Sequence, residues 1–170
     1  MQTYIALLRA VNVGGTGRLP MTDLQAMCGD AGFTKVRTYI ASGNVVFQSA
    51  LTPRKVKSAL EGRLLAYAGK PVGVAVRTAD EMAAVIKQNP FADLAPDRTV
   101  AIFLDDAPPR DALAHAVGVQ DEQTRLGARE IFVHYGAGMG TSKLKIPAAK
   151  AGTARNINTI TRLAAMAAEL

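Results

Sequence analysis

Three polar clusters carry residue types whose spacing suits them to hold an anion. In Arg9-x-x-Asn12-x-Gly14-Gly15, glycines after an apolar run let backbone N–H groups face a negative charge, and a guanidinium adds a bidentate contact. Ser42-Gly43-Asn44 sets two short polar side chains around a glycine, which is also the composition of a hairpin turn. Thr141-Ser142-Lys143 and Thr153-Ala154-Arg155-Asn156-Ile157-Asn158-Thr159 bring cations, hydroxyls and amides to the start of a predicted helix. A helix N-terminus presents unpaired N–H groups and the positive end of its dipole, so anions bind there readily. The candidate ligand residues are Arg9, Asn12, Gly14, Gly15, Ser42, Asn44, Ser142, Lys143, Arg155, Asn156, Asn158 and Thr159. Each cluster also has a structural reading: a flexible turn, a hairpin, and a helix cap by Asn156 with Arg155 solvated.

Catalytic signatures are missing. The glycines after the first strand fit neither Gly-x-x-x-x-Gly-Lys-Ser/Thr nor Gly-x-Gly-x-x-Gly, and no Gly-x-Ser-x-Gly elbow occurs. His115 and His134 stand nineteen residues apart with no partner at metal-ligand spacing. Asp105-Asp106 precedes Ala107-Pro108-Pro109 and reads as a turn or helix cap. The expectation is no metal and no cofactor.

Charge is segregated along the chain. Residues 1–60 hold seven Lys/Arg against two Asp, residues 61–136 hold eight against eleven acids, and residues 137–168 hold five and no acid. Basic ends around an acidic middle, with a net charge of +6, suit an anionic partner. The 170 residues suffice for one domain or two small ones, with a core needing no staples. One cysteine, Cys28, rules out an internal disulfide and falls on the apolar face of a predicted helix beside Leu24 and Met27. There is no signal-peptide pattern and no run of about eighteen apolar residues. The expectation is a soluble cytoplasmic protein that does not enter the membrane.

The elements that must position these clusters follow from periodicity and punctuation. Residues 2–8 read as a buried strand, Met21–Ala31 as a helix, and Lys35–Ala41 with Val45–Gln48 as a hairpin across Ser42-Gly43-Asn44. Thr52-Pro53 starts a helix with Val56, Leu60, Leu64 and Tyr67 on one face; Gly69 ends it and a strand follows at 72–76. Thr78 and Glu81 form a capping box for a helix that stops at Asn89-Pro90. A strand at 99–104, a helix at 109–117, a hairpin across Gly127-Ala128, a short helix near 142–150 and a last helix at 157–169 complete the order. The fold class predicted is α+β: two tandem ferredoxin-like (α/β plait) subdomains with antiparallel sheets, residues 1–77 and 78–170, packed as one unit. The seam falls within 77–98, with 89–97 as linker.

Several segments carry a family resemblance: YIALLRAVNVGG, MTDLQAMCGDAGFTKVRTYIASGNVVF, RTADEMAAVIKQNPF and TSKLK…GTARNINTITRLAAMA. In order along essentially the whole chain, they resemble the bacterial domain-of-unknown-function family 1697. The resemblance implies tandem ferredoxin-like subdomains and no established activity. The motif positions it implies here are those candidate residues together with Gly43, Asn89, Pro90 and Phe91, for which no ligand role is implied. The chain departs from the pattern at Ala10, where the family usually has Gly, at Ala41 in place of a frequent Gln, and at Ile157 in place of a frequent Trp.

Three functions fit. The first is binding of a phosphate-bearing ligand, nucleic acid or nucleotide, through the basic segments, with Tyr4, Tyr39 and Phe47 as aromatics a nucleic acid could use. The second is an interaction protein whose polar motifs hold its parts together. The third is a small-molecule enzyme with its site between the subdomains.

Overall fold

The computed structural model describes residues 1–13 and 17–170. Eight strands and four α-helices run in the order β1 (Gln2–Leu8), α1 (Met21–Asp30), β2 (Thr34–Tyr39), β3 (Asn44–Ser49), α2 (Pro53–Ala68), β4 (Val74–Thr78), α3 (Ala79–Lys87), β5 (Thr99–Phe103), β6 (Gln123–Leu126), β7 (Glu130–His134), β8 (Thr153–Asn156) and α4 (Ile157–Ala168). The strands form two four-stranded antiparallel sheets, β2-β3-β1-β4 and β6-β7-β5-β8. The fold is therefore mixed α+β. The chain divides into two compact units, Met1–Ala83 with Arg162–Leu170, and Ala84–Thr161. No helix among the described residues is long and apolar enough to cross a membrane.

In the first unit β1 is the central strand, and side chains alternate across it. Tyr4, Ala6 and Leu8 join Val45 and Phe47 of β3 and Val74 and Val76 of β4 on the face that packs with Leu24 and Cys28 of α1 and Val56, Leu60 and Leu64 of α2. Phe47 stacks on Phe33 at 4.3 Å, nearly parallel, a contact worth about 1 kcal/mol beyond its area. Ile5 and Leu7, on the opposite face, are also fully buried. This explains why the strand reads as a continuous apolar run.

Local chemistry sets the helix ends. The Thr52 side chain accepts from Lys55 N–H with Pro53 at the first helical position, and Gly69 closes α2 in the left-handed region. The capping box is reciprocal: Thr78 N–H donates to Glu81 Oε1 at 2.9 Å, and Glu81 N–H to Thr78 Oγ1 at 3.1 Å. Tyr67, expected on the buried face of α2, is 48% exposed and donates from its hydroxyl to Asp23 Oδ2 at 2.8 Å.

The second sheet departs from expectation in what covers it. The helix predicted at 109–117 is a 3-10 turn, Ala112–His115, and Val117, expected inward, is 58% exposed. The helix near 142–150 is reduced to the 3-10 turns Met139–Thr141 and Pro147–Ala149. Pro147, inside the second of these stretches, lacks the N–H donor that an α-helix interior requires. The polar run Thr153–Asn156, read as a helix approach, is the edge strand β8, paired with β5.

Two predictions follow from this packing. Gly43 has φ +90°, and a Cβ there would lie 2.7 Å from Val11 Cγ2 and 2.9 Å from Leu8 Cβ. Gly43→Ala is expected to destabilise the protein by more than about 1 kcal/mol in urea unfolding, and an unchanged midpoint would contradict the packing described. Burial pushes the Cys28 thiol up to about 12 from 9.0. Between those values only the unfolded chain ionises, so this thiol's contribution to stability is intact below pH 9 and declines as pH rises towards 12. At pH 8 a thiol reagent should leave Cys28 untouched in the native protein and modify it fully in guanidinium; rapid native labelling would refute that burial.

Candidate functional site

The end of β1 is where three segments of the first unit converge. Leu8 N–H donates to Gly43 O in the β2–β3 turn at 2.8 Å, and Arg9 N–H donates to Gly73 O just before β4 at 2.9 Å. Beyond Arg9 the chain leaves the sheet through Ala10 and Asn12, both in the left-handed region at φ 54° and 55°. A non-glycine residue bears strain there. Ala10 stands where the resembled family usually has Gly, the residue that this conformation favours.

Asn12 fixes the loop from inside. Its Nδ2 donates to Leu19 O and to Ala41 O, each at 2.8 Å, and its Oδ1 accepts from Leu19 N–H at 2.6 Å. The amide thereby joins both ends of the β1–α1 connection to the β2–β3 turn. Asn44 is wholly buried and donates from Nδ2 to Tyr39 O and Ser42 Oγ, both at 2.8 Å, so the Ser42–Asn44 cluster forms the inner frame of its hairpin. Gly14 and Gly15 lie outside the described residues.

Beside this frame lies a cavity of about 530 Å³ lined by Arg9, Arg18 and Lys70, with Tyr67 and Pro71–Gly73. All three cations are exposed, and among the described residues no carboxylate lines the space. At its wall the Tyr67 hydroxyl donates to Asp23 Oδ2 at 2.8 Å. That hydrogen bond raises the Tyr67 pKa, while the charge of Arg18, which lines the same cavity, opposes the shift. A second hollow of about 740 Å³ shares Gly17, Arg18 and Leu19 and extends to Asn12, Met21 and Ala41. Volumes in this range accommodate a small-molecule ligand.

The remaining candidate residues belong to the second unit. Ser142 Oγ donates to Glu122 Oε2 at 2.6 Å and accepts from Leu144 N–H. That bond, with two backbone N–H groups, holds the Glu122 carboxyl below its usual range. Asn156 Oδ1 accepts from Thr159 N–H at 2.9 Å and caps α4. Arg155 Nη1 donates to Ala154 O at 2.9 Å, and burial pushes its pKa down to about 10, so it keeps its charge at neutral pH. Lys143 and Asn158 are exposed. His134 Nδ1 pairs with Thr99 Oγ1 at 2.9 Å, and His115 with Asp111 at 3.1 Å. In the stretch Asn89–Phe91, Asn89 Oδ1 accepts from Phe91 N–H and forms a turn.

Sequence reasoning found Arg9 but missed Arg18 and Lys70. The missing signal was register: antiparallel pairing of Leu8 with Val74 carries residues 70–73 to the end of β1.

Because Asn12 supplies three hydrogen bonds to one junction, Asn12→Ala should lower stability by about 2 kcal/mol in urea unfolding. Asn12→Asp should do nearly as badly, since a carboxylate cannot donate to the Leu19 and Ala41 carbonyls. A change below about 0.5 kcal/mol in both would mean the junction is held by other contacts.

Comparison with known proteins agrees with this architecture. Residues 1–132 match a family model described as a protein of unknown function (DUF1697). No curated protein matches the chain. A conserved bacterial protein from Streptococcus pneumoniae has a similar structure, with a TM-score of 0.81 over 98% of each chain at 22% identity. At that identity the likeness concerns the fold.

Proposed function

This chain belongs to the DUF1697 family, and we propose that it binds a small phosphate-bearing ligand in the groove at the end of β1. The observation that carries the proposal is the joint lining of one cavity by Arg9, Arg18 and Lys70, with no carboxylate among the described residues that line it. Three like charges around one concavity repel each other, and an oligo-anion relieves that repulsion while forming charge-assisted hydrogen bonds. Phosphate, with several acceptor oxygens and up to two charges, meets that demand better than a lone carboxylate.

A nucleotide suits the groove better than a nucleic acid. Tyr4 and Phe47, two of the aromatics that could have stacked bases on an open sheet, are buried in the first core. The strand orders also support the finer reading of the fold. In each sheet the four strands run fourth, first, third, second from one edge, as in a ferredoxin-like plait, and the first unit has the matching β-α-β-β-α-β order.

A second reading, that the polar motifs serve architecture, is favoured for Asn12, Asn44, Ser142 and Asn156, whose recorded side-chain hydrogen bonds brace loops, a hairpin and a helix cap. It does not extend to Arg18 or Lys70, which stand exposed at the groove.

Calorimetry with pyrophosphate, ATP and a single-stranded oligonucleotide at two salt concentrations separates the alternatives. Pyrophosphate and ATP should bind, more weakly as salt rises, and Arg18→Ala or Lys70→Ala should each cost about tenfold in affinity. Neither exposed substitution should shift the unfolding midpoint appreciably. Absence of binding by either compound at low salt would end the proposal; tighter binding of the oligonucleotide would redirect it to nucleic acid.

A further inference from the structure

The second unit contains a feature that the phosphate groove does not explain. Val100 and Ile102 of β5 lie directly opposite Val133 and Ile131 of β7, so the two inner strands of that sheet present an apolar face. In the first unit the corresponding face is covered by helices of ten and sixteen residues, α1 and α2. Here the packed cover includes Leu113 of a four-residue 3-10 turn, with Leu144 and Ile146 ahead of a three-residue turn. So thin a cover leaves a cavity of about 640 Å³, floored by Ile102 and Val133 and roofed by Leu144, Ile146 and Ala149.

The rim of this cavity is a built structure. Val117 and Lys145 form an isolated antiparallel bridge, each N–H donating to the other's carbonyl at 2.9 Å. Beside it Gly118 sits at φ +72°, so close that a Cβ would lie 2.2 Å from Lys143 O. Only glycine permits that approach. The bridge holds two loop segments together at the mouth, where Val117 is 58% exposed. Solvent therefore reaches an apolar chamber whose entrance is fixed by backbone hydrogen bonds.

The lining also specifies the polar end of an occupant. The charged residues lining the cavity are Lys145 and Lys150, both exposed. Tyr135 stands with them and stays a neutral hydrogen-bond donor, its pKa raised by burial and by the charge of Glu122. Apolar walls take an aliphatic or aromatic body, and two cations at the mouth take a negative head.

We propose that the second unit binds a small amphipathic carboxylate, with its apolar body against Ile102, Val133 and Ile146 and its carboxylate at Lys145 and Lys150. This site is independent of the groove at the end of β1, and neither proposal needs the other.

The test uses the full-length ¹⁵N-labelled protein titrated with decanoate below its micellar concentration, with decanol and acetate as controls. Decanoate should shift the amides of Val117, Tyr135, Leu144 and Ile146; decanol should bind the same place about tenfold more weakly, and acetate should produce no such shifts. Lys145→Glu with Lys150→Glu leaves the apolar lining untouched and should weaken decanoate several-fold while sparing decanol. Ala149→Phe should exclude both if it folds, and the lysine exchange decides the matter if it does not. Absence of shifts at these residues, equal affinity for decanol and decanoate, or shifts confined to Arg9, Arg18 and Lys70 would each overturn the proposal.

Discussion

Strand β1 is the constraint on which the first unit depends. Neighbours on both edges satisfy its backbone, and Ile5 to Leu8 are inaccessible from either face. A strand so enclosed can present chemistry only where it ends. The two hydrogen bonds that close it, from Leu8 to the Gly43 carbonyl and from Arg9 to the Gly73 carbonyl, bring the turn before β3 and the approach to β4 to the same point. Arg9 emerges where Lys70 returns, and the Asn12 amide holds the exit loop open against Leu19 and Ala41. The basic groove thus follows from pairing that first serves to bury the strand.

The two sheets show how one strand order can be finished in different ways. Both place their first strand at the centre and their second at an edge. In the first unit long crossovers fold into α1 and α2, whose apolar faces seal the sheet. In the second, the crossovers form the 3-10 turns Ala112–His115 and Pro147–Ala149, and Pro147 removes a donor that an α-helix interior would need. A 3-10 turn offers fewer side chains to one face than an α-helix of three or four turns. The consequence is an apolar face only partly covered, with Ile102 and Val133 lining a chamber where the first unit has solid core.

Much of this was legible in the residues because the relevant signals are local. The continuous apolar run of β1, the Thr52-Pro53 start, the Thr78–Glu81 capping box and the Ser42-Gly43-Asn44 hairpin all use side chains within four residues of the backbone they control. Failures came where distant residues decide. Thr153–Asn156 has no strand-like apolar pattern; it is a strand because the edge of β5 offers it hydrogen bonds. Val117 looked like a helix's inward residue because Leu113 stands four positions before it, but the intervening turn is 3-10 and ends at His115. Lys70 carries no local mark at all, since its place beside Arg9 depends on the β1–β4 register.

The segregation of charge along the chain also needs spatial interpretation. Of the seven cations in residues 1–60, Arg37 is tied to Glu169 at 2.6 Å, and Lys57 donates to Val74 O at 2.6 Å while pairing with Glu61. Those side chains brace helix and strand ends, and exposed pairs of this kind add little stability each. Arg155, near the other basic end, is held in a setting that penalises its charge. The cations that line a hollow are Arg9, Arg18 and Lys70 in one unit, Lys145 and Lys150 in the other. A net charge of +6 therefore says little about recognition by itself. A cation beside a concave, low-dielectric wall keeps more of its field than one on an open helix face, where water and salt screen it. Concavity, more than the count of basic residues, determines which charges in this protein can select an anion.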